Sequence, residues 1–155
     1  MSGLVIILVV LALAAGGPIP PMSSREAGEL RAELSVPKAA FPLGDAVAIT
    51  LRVVNPGSST VTVTMPTSQQ FDVLVRQRGA LVWQWSHDKA FLQVVQQRAI
   101  GPGDALTYTV AWSQRDLQDR PVEPGAFEVS AVFLGAQRSG PRTIEVGPTR
   151  IVLGR

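Results

Sequence analysis

Residues 60–65 read Thr-Val-Thr-Val-Thr-Met, and Pro66 follows them. Polar and apolar side chains alternate along this stretch, and successive side chains of a β-strand point to opposite faces of a sheet. Its β-branched residues favour a strand, and a proline ends one because it has no N–H group to donate. The stretch therefore predicts a short strand with one buried face.

The same alternation recurs on both sides of this stretch. It begins at Leu30, Val47, Phe71, Leu106 and Phe127, and turn-forming residues separate the segments at intervals of ~8–12 residues. A last strand is predicted over 143–153, whereas residues 88–100 are ambiguous and could form a short helical turn followed by a strand over 94–100. We therefore predict an all-β fold, an immunoglobulin-like antiparallel β-sandwich of about eight strands.

The N-terminus differs from the rest of the chain. Residues 4–15 form an unbroken apolar run that is shorter than the ~20 residues needed to span a bilayer. This run predicts a signal peptide over 1–17. Residues 18–28 are rich in proline, serine and glycine and predict a flexible linker, and the alternating pattern from Glu29 onward predicts a β-sandwich domain over 29–155. The apolar run predicts an exported protein, secreted or held in the periplasm or cell envelope, that touches a membrane only if the N-terminal segment is not cleaved.

Composition excludes several kinds of function. The chain has no cysteine, so it forms no disulfide and offers no thiolate for catalysis or zinc binding. Its net charge is +2, and the arginines are scattered rather than clustered. Nucleic-acid binding is therefore not expected.

The residues for catalysis are few. The one histidine, His87, lies between Ser86 and Asp88, but three consecutive residues cannot form a catalytic triad, which is a spatial arrangement. No calcium loop, phosphate-binding loop or zinc ligand set is present in the sequence. We therefore predict that the protein is not an enzyme and has no catalytic residue, metal site or cofactor.

Trp83 and Trp85 are two residues apart and would share one face of a strand. They could form a stacking platform for sugar rings or a partner surface, or they could be large aromatic anchors of the core. The second interpretation is favoured, and it extends to Tyr108 and Trp112.

An ordered set of short motifs, all but the first of them between 67 and 134, resembles the BsuPI family, the bacterial intracellular proteinase inhibitors of immunoglobulin-like fold. The motifs are an Asn-Pro pair, Gln-x-Phe-Asp, Trp-x-Trp-Ser, Lys-x-Phe, a Pro-Gly turn, a strand-ending tryptophan and a second Pro-Gly pair. All of the matched residues are expected to be framework rather than reactive residues: Asn55, Pro56, Gln69, Phe71, Asp72, Trp83, Trp85, Ser86, Lys89, Phe91, Pro102, Gly103, Trp112, Pro124 and Gly125.

The resemblance implies a proteinase inhibitor that acts by protein–protein binding, with a subtilisin-like serine protease as its partner. Loops carry function on sandwich folds, so the turn 76–80 and the long loop 113–123 are candidates for the contact. The alternative is a non-inhibitory cell-envelope binding module with a protein or carbohydrate ligand. The candidate inhibitory residues are Arg115, Asp116, Leu117, Gln118, Asp119 and Arg120.

Overall fold

The structure, a computed structural model, describes residues 19–154. These residues form twelve strands and a 3₁₀ helix, Trp85–Asp88. The strands are β1 Met22–Ala27, β2 Leu30–Ser35, β3 Ala40–Pro42, β4 Val47–Val54, β5 Val61–Met65, β6 Phe71–Gln77, β7 Ala80–Gln84, β8 Gln96–Ile100, β9 Ala105–Trp112, β10 Gly125–Phe133, β11 Ala136–Gln137 and β12 Ile144–Gly154. The prediction of an all-β sandwich fold is confirmed, although the number of strands is larger than predicted.

The strands form three sheets. One has the order β1-β2-β4-β9, the second β3-β12-β10-β6-β7 and the third β11-β5-β8. Neighbouring strands are antiparallel except for β12 and β3, which are parallel. Consecutive hairpins and longer crossovers both occur, as expected for a sandwich.

The core lies between the sheets and is built by the alternation visible in the sequence. In β4 the apolar positions Val47, Ile49, Leu51 and Val53 are fully buried, whereas Ala48 and Arg52 face solvent. Inward-facing residues of all three sheets join one cluster of buried apolar side chains. Removal of this apolar surface from water is the main force that holds the sheets together.

The strand β1 occupies most of the segment predicted to be a flexible linker, so that prediction is wrong for residues 22–27. All six of its residues pair with β2. The hydroxyl groups of Ser23 and Thr149 lie 2.6 Å apart, and Arg25 donates to the carbonyl of Glu145 at 3.2 Å. The strand lies at a sheet edge and is mostly exposed, so its side chains do not show the alternation of polar and apolar residues by which strands are predicted. The predicted signal peptide lies outside the described residues.

In the structure, the ambiguous segment 88–100 contains the end of a helical turn and a strand. The 3₁₀ helix ends at Asp88, residues 89–95 are irregular, and β8 starts at Gln96. The helical turn and the strand that were considered are thus both present, but the strand begins two residues later than Val94.

Candidate functional site

The tight turn between β6 and β7 sets the position of a cluster of motif residues around Asp72. Arg78 and Gly79 both have positive φ angles, 52° and 80°. Two such residues fit a type I′ turn, whose twist matches that of the flanking strands. The candidate loop 76–80 is therefore a two-residue hairpin turn, and it brings Asp72 of β6 opposite the end of β7.

Asp72 is the centre of this cluster and is 4% exposed. One carboxylate oxygen accepts from the backbone N–H groups of Val73 at 2.9 Å and Ser86 at 3.1 Å. The other accepts from Gln84 Nε2 at 2.6 Å and from Ser86 Oγ at 2.5 Å. Hydrogen bonds to an ionised acceptor are stronger than neutral ones. The carboxylate therefore fixes the start of the 3₁₀ helix against β6.

Three aromatic rings are stacked beside this carboxylate. Phe71 lies between Trp85, with ring centroids 4.4 Å apart, and Tyr108, with centroids 4.5 Å apart. Lys89 Nζ lies 4.8 Å from the Trp85 ring centre, and the Phe91 ring lies 6.0 Å from it. The residues of three separate motifs thus meet around Trp85.

The two tryptophans do not share one strand face, so that prediction is wrong. Trp83 belongs to β7 and lies 6.3 Å from Trp112, whereas Trp85 lies in the 3₁₀ helix and packs on Phe71. Both are half-buried and pack against the core, and Trp112 is fully buried. Core packing, the favoured interpretation, therefore describes them better than an exposed pair of stacking surfaces does.

The hydroxyl of Tyr108 donates to Gln70 Oε1 at 2.6 Å. Burial raises the pKa of Tyr108 to about 12, against the opposing effect of the charge on Arg98. Desolvation disfavours the charged phenolate, so the hydroxyl stays protonated at the edge of the stack.

A second cluster joins two turns through Asn55, which is 1% exposed. Its Nδ2 atom donates to the carbonyls of Ser59 at 2.7 Å and Ile100 at 2.9 Å, and its Oδ1 atom accepts from Gly57 N at 3.0 Å. The N–H of Gly103 donates to the carbonyl of Asn55 at 2.8 Å. The Asn-Pro and first Pro-Gly motifs are therefore in contact, and they fix the β4–β5 connection against the β8–β9 turn.

The long loop 113–123 is held firmly at its base. Trp112 Nε1 donates to the carbonyl of Arg115 at 2.9 Å. Gln114 is 3% exposed, and its Nε2 atom donates to the carbonyls of Pro42 and Asp45, both at 2.8 Å. These bonds anchor the loop to the connection between β3 and β4.

The outer part of the loop is folded on itself around Asp116. Its Oδ1 atom accepts from the N–H groups of Gln118 at 2.9 Å and Arg120 at 3.0 Å, and its Oδ2 atom accepts from Arg120 Nε at 3.2 Å. The N–H of Arg120 is the main cause that lowers the pKa of Asp116. Arg115, Gln118, Asp119 and Arg120 are exposed, and Leu117 is half-buried. The loop is therefore ordered and exposed, as a binding loop requires.

A third exposed segment was not singled out from the sequence. Leu92, Val94 and Val95 are 70%, 54% and 66% exposed. They follow the Lys-x-Phe motif, whose residues pack on Trp85. The signal in the sequence was an apolar run between two assigned motifs, but such a run fits a buried strand equally well.

The structure assembles no catalytic group from the Ser-His-Asp run. Ser86 donates to Asp72, and His87 and Asp88 are exposed on the 3₁₀ helix. Between residues 19 and 154, no cluster of histidine, aspartate and glutamate side chains is arranged to hold a metal ion. Within the same range, no helix has the length and apolar character to cross a membrane.

The sequence model of one family, described as "Intracellular proteinase inhibitor", matches residues 34–138. The chain belongs to the BsuPI family. BsuPI membership confirms the resemblance seen in the motifs, and it supports a proteinase inhibitor rather than an enzyme. No curated protein matches the chain.

Several solved structures are similar to this chain at low sequence identity and with TM-scores below 0.5. The CARDB domain of a Pyrococcus furiosus protein is 14% identical, with 86% of this chain and 88% of that chain covered and a TM-score of 0.42. The Bacillus subtilis sporulation control protein Spo0M is 17% identical, with 83% and 50% covered and a TM-score of 0.46. A Listeria innocua β-glucosidase is 15% identical, with a TM-score of 0.44, and the match covers 85% of this chain but only 16% of the enzyme.

BsuPI membership corrects the predicted location. The family is described as intracellular, which contradicts export, so the prediction of a secreted or cell-envelope protein is wrong. An apolar run of the length found at 4–15 is not specific to signal peptides, because apolar segments of this size also occur in folded domains.

Proposed function

We propose that this protein inhibits a serine proteinase of the subtilisin type by binding it as a rigid body. Its membership of an inhibitor family carries the proposal. The arrangement of the family motifs supports it, because Asp72 and Asn55 are buried hydrogen-bonded centres that fix loops. A loop that is ordered before binding loses less conformational entropy in the complex.

The loop 115–120 is the sequence-based candidate for the contact. Trp112 and Gln114 anchor the base of this loop, so its shape does not depend on a partner. The candidate loop 76–80 is less suitable, since a two-residue turn offers little surface to a cleft.

Titration of the purified full-length protein against subtilisin tests this function. Residual activity toward a small chromogenic peptide is followed, and the integrity of the inhibitor is checked by mass spectrometry. We expect a stoichiometric loss of activity with the inhibitor uncut. Inhibition of a cysteine proteinase or metalloproteinase but no serine proteinase would reject the serine assignment. Absence of inhibition across all three classes would reject the inhibitor function itself.

A further inference from the structure

Residues 90–97 form an uncharged surface segment of five apolar residues and three glutamines, Ala-Phe-Leu-Gln-Val-Val-Gln-Gln. Leu92, Val94 and Val95 project from it, and each exposes more than half of its surface. Single apolar residues on a surface are ordinary, but a neighbouring set of them is a feature of interaction sites.

The backbone of this segment is available for pairing. Residues 89–95 run without a turn or a bend. Among the residues that the structure describes, none forms a hydrogen bond with the backbone of residues 93–95. A proteinase cleft binds a peptide by strand-like main-chain hydrogen bonds and takes its side chains into pockets, as in other cases of β-strand addition.

Both ends of the segment are fixed to the domain. Leu92 N donates to Ser68 Oγ at 2.8 Å, and Ser68 N donates to the carbonyl of Leu92 at 2.9 Å. At the other end Gln96 pairs with Met65 in the β8–β5 ladder. The exposed residues between these anchors are therefore presented in a restricted conformation, which lowers the entropy cost of binding.

Most main-chain groups of the loop 115–120 are already hydrogen-bonded within the protein and are not available to pair with a partner. The carbonyl groups of Arg115, Asp116, Asp119 and Arg120 accept hydrogen bonds from within the protein. The N–H groups of Asp116, Gln118, Asp119 and Arg120 also donate hydrogen bonds to acceptors within the protein. A loop whose main chain is already paired has little left to offer to a cleft.

We propose that residues 92–95 are the segment that enters the proteinase cleft, and that the partner is an endoproteinase whose subsites take aliphatic side chains. This inference rests on the inhibitory function proposed above. An apolar, uncharged segment fits pockets lined by apolar groups, whereas the arginines of the loop 115–120 would require acidic pockets. The family description favours a proteinase as the occupant over a second copy of this chain.

Inhibition constants of Val94→Asp and Val95→Asp test this assignment in the full-length protein. Each change places a carboxylate where an apolar pocket is expected, and we expect each to weaken inhibition by at least about 30-fold, the size of a hot-spot loss. Val152→Asp is the matched control, because Val152 is also an exposed valine (44%) but lies on β12. It should leave inhibition unchanged. The double variant Arg115→Ala/Arg120→Ala should weaken inhibition much less than Val94→Asp.

The outcomes separate this inference from the function itself. A wild-type protein that inhibits no proteinase overturns both. A wild-type inhibitor whose Val94→Asp and Val95→Asp variants remain equally active overturns only the segment. Inhibition of only those proteinases that cleave after arginine would also overturn the assignment of the segment and leave the inhibitory function standing. If these variants keep full inhibition but lose a dimer seen by size-exclusion chromatography, the segment binds a second copy and the inference is wrong.

Discussion

Replacement of Asp72 by alanine should be strongly destabilising. The backbone N–H groups of Val73 and Ser86 would lose their acceptor inside the protein. An unsatisfied buried donor costs about 1–3 kcal/mol. The N–H group of Val73 is buried and that of Ser86 is partly buried, so we expect the two together to cost ~3 kcal/mol. The amide of Gln84 and the hydroxyl of Ser86 can turn toward solvent and add little. In a domain of this size the loss corresponds to a decrease of ~6–12 °C in Tm.

Asp72→Asn is the discriminating comparison. Its amide oxygen can still accept from both N–H groups, and the hydroxyl of Ser86 can reverse its role and accept from the new amide. We therefore expect a loss of only about 1 kcal/mol. Urea denaturation followed by tryptophan fluorescence measures both variants, with the exposed Glu128→Ala as a control that should change stability by less than ~0.5 kcal/mol. Equal losses for the alanine and asparagine variants, or a loss below ~1 kcal/mol for alanine, would refute the role assigned to the carboxylate.

Three further predictions concern other parts of the two clusters and the loop. Asn55→Ala should lower the free energy of unfolding by ~3 kcal/mol, because the buried carbonyl of Ile100 loses a donor and the hydrogen bonds to Ser59 and Gly57 are lost as well. A change within ~0.5 kcal/mol in urea denaturation would contradict this. The chain has one tyrosine, so absorbance near ~295 nm reports Tyr108 alone. Burial raises the folded pKa of Tyr108 to about 12, above its ordinary value of 10.0, so the stability it contributes is complete below about pH 10 and is lost as the pH rises toward 12. A native titration midpoint equal to that in urea would be contrary evidence. Trp112→Phe should release the carbonyl of Arg115 and speed proteolytic cutting within 115–120, whereas cutting at the wild-type rate would show that the bond does not hold the loop.

The buried faces of the strands were predictable because alternation is a local property. Val47, Ile49, Leu51 and Val53 are buried as their spacing requires, and the turn at Arg78-Gly79 is where the sequence placed it. The strand β1 was missed because an edge strand with exposed side chains carries no alternation.

The motif clusters could be recognised but not assembled from the sequence. Asp72 and Ser86 belong to different motifs, and only the hairpin register brings them together. The shared face predicted for Trp83 and Trp85 failed because β7 ends at Gln84, and strand ends depend on tertiary contacts. The surface segment 92–95 was not singled out, because exposure depends on what packs against a residue rather than on its type.

The pairing of β10 with β12 has a consequence for how the domain can be divided. The family match ends at residue 138, whereas β12 begins at Ile144 and pairs along most of β10. Ile144, Val146, Ile151 and Leu153 fill the core from beyond that limit. A fragment cut at 34–138 would leave β10 with an unpaired edge and an open core, a combination that favours aggregation. The smallest unit that can be produced as a cooperative, soluble protein is therefore larger than the region by which relatives are recognised.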